Sequence, residues 1–181
     1  MSAFNFARNF EALADAFPNR PLVIFRDRRF SYGQTRDRAR RLANYLRGRG
    51  LGEVRPRAGL CDWESGQDHV GLYLYNGNEY LEGMLGSYMA RVVPFNINYR
   101  YVAGELDYLM KDATPRALIY HARFAPMVAA LKGVVPGLEI LLQVEDGSGE
   151  PLVEGAEDYE QALAGSSAEL PDTEPSPDDL Y

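Results

Sequence analysis

His69-Val70-Gly71-Leu72-Tyr73-Leu74-Tyr75, with Val92-Val93-Pro94-Phe95 and Arg116-Ala117-Leu118-Ile119-Tyr120 further on, decides the fold. These are three short apolar runs, and helix-period stretches separate them. The first run stops at Asn76-Gly77, and Leu81, Met84, Leu85, Tyr88 and Met89 then form one helical face. After the second run, Val102, Leu106, Leu109 and Ala113 form another, stopped by Thr114-Pro115. Strands that are apolar throughout, alternating with amphipathic helices over His69–His121, are what a parallel sheet covered on both faces requires. The expected class is therefore α/β, a mostly parallel sheet with helices on both faces.

Upstream, Phe6 to Phe17 reads as a helix with Phe6, Phe10, Leu13 and Phe17 inward. Pro18-Asn19-Arg20-Pro21 ends it. Leu22–Phe25 and Arg29–Tyr32 then read as a short hairpin about Arg26-Asp27-Arg28. Ser31-Tyr32-Gly33-Gln34 fits a capping box. The helix it opens turns Ala39, Leu42, Ala43 and Leu46 inward and Arg36, Arg40 and Arg47 outward, and Gly48, Gly50 and Gly52 close it. Glu53–Gln67 has no periodicity and reads as a long loop. Asn76 or Asn78 is expected to cap the third helix, and Asn98 the fourth. Phe124–Leu131 reads as a short helix, Leu138–Leu142 as a strand and Asp158–Leu163 as a brief helix. Residues 1–170 form one α/β unit on this reading, and the acidic, proline-rich 171–181 a connection beyond it.

At 181 residues the chain can bury one sizeable core. It has no apolar run long enough for a membrane span, no secretory signal and a single cysteine, Cys61, so a cytoplasmic location is expected. The formal charge of −7 is unevenly spread: all 19 Lys and Arg lie at or before Lys132. Residues 1–138 carry +6 and residues 139–181 carry −13. The arginines do not alternate with aromatics as a nucleic-acid stacking platform requires, so a solvated basic helix and acidic loops are expected, with no nucleic-acid partner.

No catalytic signature is complete. Gly48-Arg49-Gly50-Leu51-Gly52 ends a helix instead of opening one, so it lacks the helix N-terminus that a pyrophosphate needs. Cys61, His69 and His121 lack metal-ligand spacing, and both histidines sit at strand ends where bonding to a loop suffices. Glu79 and Glu82 share a helix face near an N-terminus and suit the helix dipole. Asp62, Glu64 and Asp68 read as a solvated acidic cluster. Asn96-Ile97-Asn98-Tyr99-Arg100 follows a strand and precedes a helix, on the side of a parallel sheet where ligands sit, and is the best candidate for a specific role.

The chain resembles the N-terminal part of the AMP-forming acyl-CoA synthetases of the adenylate-forming superfamily. Phe30-Ser31-Tyr32-Gly33-Gln34, Leu42-Ala43-Asn44-Tyr45-Leu46 with Gly50-Leu51-Gly52, and Gly66–Asn76 are similar to its opening hairpin, first helix and Gly-Asp strand. Tyr80–Asn98 and Tyr101–Ala113 are similar to the elements that follow. Asn98-Tyr99-Arg100-Tyr101 and Tyr120-His121-Ala122-Arg123-Phe124 lean toward actinobacterial fatty-acyl or steroid side-chain ligases. Glu53–Ser65 is an insertion on this comparison, and Gln67 interrupts the Gly-Asp pair. The resemblance implies, for the intact enzyme, attack of a carboxylate on ATP with magnesium, then transfer of the acyl group from AMP to CoA. The phosphate loop, adenine pocket and catalytic lysine would lie beyond Tyr181. It carries no catalytic, cofactor-binding or metal residue onto this chain.

The expected function is thus an N-terminal fragment of an acyl-CoA synthetase, inactive alone and binding no cofactor by itself. Its partner would be the rest of the enzyme, or a second copy through exposed apolar surface, including a possible homodimer. The alternatives are a binding or complementation module that pairs with a separately encoded remainder, and an unrelated flavodoxin-like nucleotide binder using Asn96–Arg100.

Overall fold

The computed structural model describes residues 5–174, 176, 179 and 180. Helix α1 (Phe6–Ala16) is capped by Asn5, whose side chain accepts from the Arg8 amide. Strands β1 (Pro21–Phe25) and β2 (Arg28–Ser31) form the antiparallel hairpin. Helix α2 (Tyr32–Gly48) opens on the full capping box of Ser31 and Gln34, as the sequence predicts. There follow β3 (His69–Tyr73), α3 (Asn78–Met89), β4 (Val93–Asn96), α4 (Ala103–Ala113), β5 (Ala117–His121), α5 (Ala125–Leu131), β6 (Ile140–Val144), β7 (Glu157–Asp158) and α6 (Tyr159–Ala164).

The main sheet has the order β4-β3-β5-β6-β7, with every neighbouring pair parallel. Its central strands β3, β5 and β6 are buried on both faces, and successive residues serve opposite cores because side chains alternate along a strand. Val70, Leu72, Ile119 and Leu142 meet α1, α2, α3 and α6 on one face. Tyr73, Leu118, Tyr120 and Leu141 meet α4 and α5 on the other. Helices therefore cover both faces, as the apolar runs require. The α2–α3 contact is the closest: a Cβ on Gly86 would come within 3.0 Å of the Ala39 carbonyl and nearer still to Leu42.

Several local expectations are corrected. On α1 the buried residues are Ala7, Phe10 and Ala14, whereas Phe6, Leu13 and Phe17 remain half-exposed. Across the same contact Glu11 and Asp15 pair with Arg40 and Arg36 of α2. Neither Asn76 nor Asn78 caps α3. Gly77 holds that position, and the Asn78 side chain is committed to Arg28 and Glu82. Asn98 does not cap α4 either; its side chain accepts from Arg100 N in a local turn, and Glu105 reaches back to the Val102 amide. Strand β7 has no apolar run, and pairing with β6 alone makes it a strand.

Charge patterning was also misread by the sequence. The arginines of α2 are clamps, not a solvated face: Arg38 binds Glu82 and Glu160, Arg40 binds Glu11, and Arg41 donates to the Leu163 and Ser166 carbonyls. Basic and acidic parts neutralise each other through Arg8–Glu174, Arg38–Glu160, Arg49–Glu157, Arg91–Asp179, Arg116–Glu139 and Lys132–Glu154. Asp68 is not solvated; it accepts from the Gly52 amide and from Arg116. Beyond residue 170, the Thr173 hydroxyl donates to Met89 O, Asp179 pairs with Arg91, and the Leu180 amide donates to Gln67. Of the segment 171–181, Pro175, Pro177, Asp178 and Tyr181 lie outside the described residues.

Candidate functional site at the carboxyl edge of the sheet

The chain reverses its winding direction at β3. It goes out to β4 on one side, then crosses to β5 on the other, so α3 and α4 cover opposite faces. The carboxyl ends of β3 and β5 consequently diverge, and such a switch point is where open α/β sheets place ligands. Here the divergence leaves a cavity of about 380 Å³, lined by Arg26 and Arg28 of the hairpin, Tyr75 and Glu79 after β3, and His121, Arg123 and Asp146 after β5 and β6.

In a nucleotide binder of this topology the first helix N-terminus beyond the switch strand would receive a phosphate. In this chain it is already filled. The Glu79 carboxylate folds back over its own helix start, with Oε2 only 2.7 Å from where a Cβ on Gly77 would stand. Arg28 holds it there through a 2.5 Å contact and also donates to Asn78 Oδ1 at 2.9 Å. The buried carboxylate thus occupies the position an anionic ligand would take. Glu82, one turn on, points away from the cavity into a closed network of Arg38, Asn78 and Tyr159. The expected dipole role suits Glu79; Glu82 is part of a buried ion pair.

His121 closes the floor of the cavity. Its Nδ1 accepts from the Tyr75 amide at 3.0 Å, which leaves the proton on Nε2 of the neutral ring. Burial holds the imidazole below its usual range, outweighing the nearby Glu79 and Asp146 carboxylates, while Arg28 and Arg26 push the same way as burial. Asp146 is held low despite burial, because Ser148 and the Arg123 amide donate to it. Tyr75 lies against His121, Phe124 and Tyr99, with ring centroids 5.6, 5.1 and 4.9 Å apart. The Asn96–Arg100 loop does sit at this edge, and Tyr99 packs on the cavity wall, not in the cavity.

The remaining sequence candidates are scattered. His69 lies at the opposite edge, with Nδ1 2.6 Å from the carbonyl of Ala113, so it bonds the last residue of α4 and not the loop expected for it. Cys61 is exposed on the long loop 53–67, whose neck is closed by the Arg55 amide on Gly66 O. Two cavities of about 510 and 760 Å³ flank that loop beside Trp63 and Gln67. Gly52 is needed where it stands for a backbone reason: at φ +91°, a Cβ there would be 2.1 Å from the Ala90 carbonyl. Among the described residues no group of three or more His, Cys, Asp or Glu is placed to hold a metal, and the filled α3 N-terminus does not fit a nucleotide phosphate. The hairpin arginines and Arg123 were missed as cavity residues; only the strand order brings them together.

A parallel sheet wound this way, preceded by an antiparallel hairpin, defines an α/β domain, and the comparisons give its family. Residues 10–181 match the AMP-binding enzyme family, and the chain belongs to it. It is 50% identical over 180 residues to the medium-chain acyl-CoA ligase Mig of Mycobacterium avium, covering 99% of this chain and 33% of that protein. It is 35% identical to the 3-oxocholest-4-en-26-oate–CoA ligase of Rhodococcus rhodochrous, with 99% and 30% covered. In fold it is similar to the anthranilate CoA ligase AuaEII (TM-score 0.78, 21% identity, 93% of this chain and 29% of that one). The same holds for a Mycobacterium tuberculosis fatty acyl CoA synthetase (TM-score 0.73, 22% identity, 97% and 31%). The chain spans about a third of the length of the curated relatives it matches, and corresponds to the N-terminal portion of actinobacterial acyl-CoA ligases. Family membership sets aside the unrelated flavodoxin-like reading.

Proposed function

We propose that this chain is the framework portion of an acyl-CoA ligase that joins a medium-chain or similar carboxylate to CoA with ATP and magnesium. It supplies sheet and core, and leaves the reacting groups to the rest of the enzyme. The observation that carries this reading is the 50% identity to a medium-chain acyl-CoA ligase along nearly the whole chain. The Glu79 carboxylate at the α3 N-terminus supports the division of labour, since it occupies the place where this sheet would otherwise take a phosphate.

On this reading residues 1–170 are the body and 171–181 the connection toward the remainder, the principal partner. The half-exposed Phe6, Leu13 and Phe17 and the exposed Val102 and Tyr108 favour self-association of the chain when it is alone, homodimers included. A cytoplasmic setting accords with the lack, among the described residues, of any helix long and apolar enough to cross a membrane. The test is ATP–pyrophosphate exchange with octanoate, together with calorimetric titration of ATP. The 181-residue chain should show neither exchange nor micromolar binding; either one would overturn the framework assignment.

A further inference from the structure

We infer that the switch-point cavity is an oxyanion site, taking the phosphate or carboxylate end of a small ligand on the Nε2–H of His121. The inference concerns this chain's own residues and does not rest on the ligase reading. His121 is only 7% exposed, yet its Nε2–H has no hydrogen-bond partner among the described residues. The ring lines the cavity, so an oxygen entering there meets an available donor.

The formal charges around the cavity balance, three arginines against Glu79, Glu145 and Asp146, but their commitments do not. Glu79 is held by Arg28. Glu145 accepts from the Gly147 amide, and Asp146 from the Ser148 and Arg123 amides. The guanidinium groups of Arg26 and Arg123, by contrast, make no ion pair or hydrogen bond among the described residues; Arg26 only overlies the Phe25 ring, 5.2 Å from its centroid. The donors that remain free are thus one imidazole N–H and two cations. Around 380 Å³ of space beside them is of the size that holds a small ligand. Arginine forks match planar or tetrahedral oxyanions, and a neutral imidazole adds a directed donor without a charge to desolvate.

The test is nuclear magnetic resonance of the ring nitrogens in the 181-residue chain, titrated with sodium phosphate and separately with sodium acetate. Sodium chloride holds ionic strength constant. The His121 resonances should shift saturably while those of His69, at the far edge of the sheet, stay put. Arg123→Gln should weaken binding about tenfold, as loss of one charge-assisted contact does. His121→Phe should abolish it; because that ring also accepts the Tyr75 amide, the exposed Arg123 position keeps the result readable if the His121 variant unfolds. Tighter binding of phosphate assigns a phosphoryl end, tighter binding of acetate a carboxylate, and either supports the site. A His121 shift no larger than in chloride, equal movement of His69, or unchanged affinity in Arg123→Gln would overturn it.

Discussion

Glu82 and Arg38 meet across the α2–α3 contact in a bidentate pair, 2.7 Å from Nε to Oε1 and 3.0 Å from Nη2 to Oε2, with the carboxylate wholly buried. Tyr159 donates to the same carboxylate at 2.8 Å and Asn78 at 2.9 Å, so α2, α3 and α6 are joined at one point. Burying these charges is tolerable only because every strong hydrogen-bonding group in the cluster is satisfied. Removing one partner should therefore cost far more than removing the whole pair. Glu82→Ala should lower unfolding stability by about 3 kcal/mol, and replacing both Arg38 and Glu82 by Met and Leu should recover much of that. Glu160→Gln, at the solvent end of Arg38, should cost under about 1 kcal/mol. Urea denaturation orders the three variants; equal losses would contradict a buried network.

The tyrosines make the fold sensitive to base. Burial pushes Tyr45 up to about 12, helped by its hydrogen bond with Glu157, and burial raises Tyr120 and Tyr159 further. In the unfolded chain all three ionise near pH 10, so above that the unfolded state binds fewer protons than the folded one, and stability falls as pH rises. Their contribution is complete below about pH 10. The urea midpoint should be level from pH 8 to 9.5 and then drop steeply. Phe at Tyr120, which loses only the hydrogen bond to Gln143, should flatten that drop.

Two glycines should respond in opposite directions. Gly86→Ala drives a methyl into Leu42 and the Ala39 carbonyl, and should destabilise by about 1–3 kcal/mol. Gly104→Ala meets nothing within 4 Å on the first turn of α4, and should stabilise by up to about 1 kcal/mol through the unfolded state. Thermal unfolding of the two variants checks the pair.

The end of the described chain is held by a few polar contacts. Arg91→Ala removes both hydrogen bonds to Asp179 and should loosen the hold on Asp179 and Leu180. Hydrogen exchange at the Leu180 amide, which donates to Gln67, should quicken about tenfold, as loss of about 1.4 kcal/mol from a local opening equilibrium implies. Far-ultraviolet circular dichroism should be unchanged, because the sheet is untouched.

The alternation in His69–His121 was sufficient for the class of the sheet, and Ser31 with Gln34 for the start of α2, because both signals are local. The rotation of α1 was not legible: the face it buries is set by packing on α2 and α3, and its partners Arg40 and Arg36 lie more than twenty residues from Glu11 and Asp15. The same holds for Arg38, whose partners Glu82 and Glu160 lie 44 and 122 residues off. Strand β7 needs β6 before it exists at all. Of the candidate site, the Asn96–Arg100 loop was placed at the correct edge by strand order, and His121 was read correctly as bonding a loop. Its cavity, its arginines and the Glu79 carboxylate folded over α3 arise only when the hairpin, β3, β5 and β6 converge.

The division of charge along the chain has a consequence for how the protein is made. The basic residues are synthesised first, and their counter-charges on Glu139, Glu154, Glu157, Glu160, Glu174 and Asp179 come afterwards. At residue 138 the growing polypeptide carries +6, with no acidic tail yet to answer it. Residues 139–181 bring residues 1–181 to −7, and in the same stretch supply β6, β7 and α6. Charge reversal and the pairing of β6 onto β5 therefore come together, and a product cut short before that point would be a cation with the β5 edge left open.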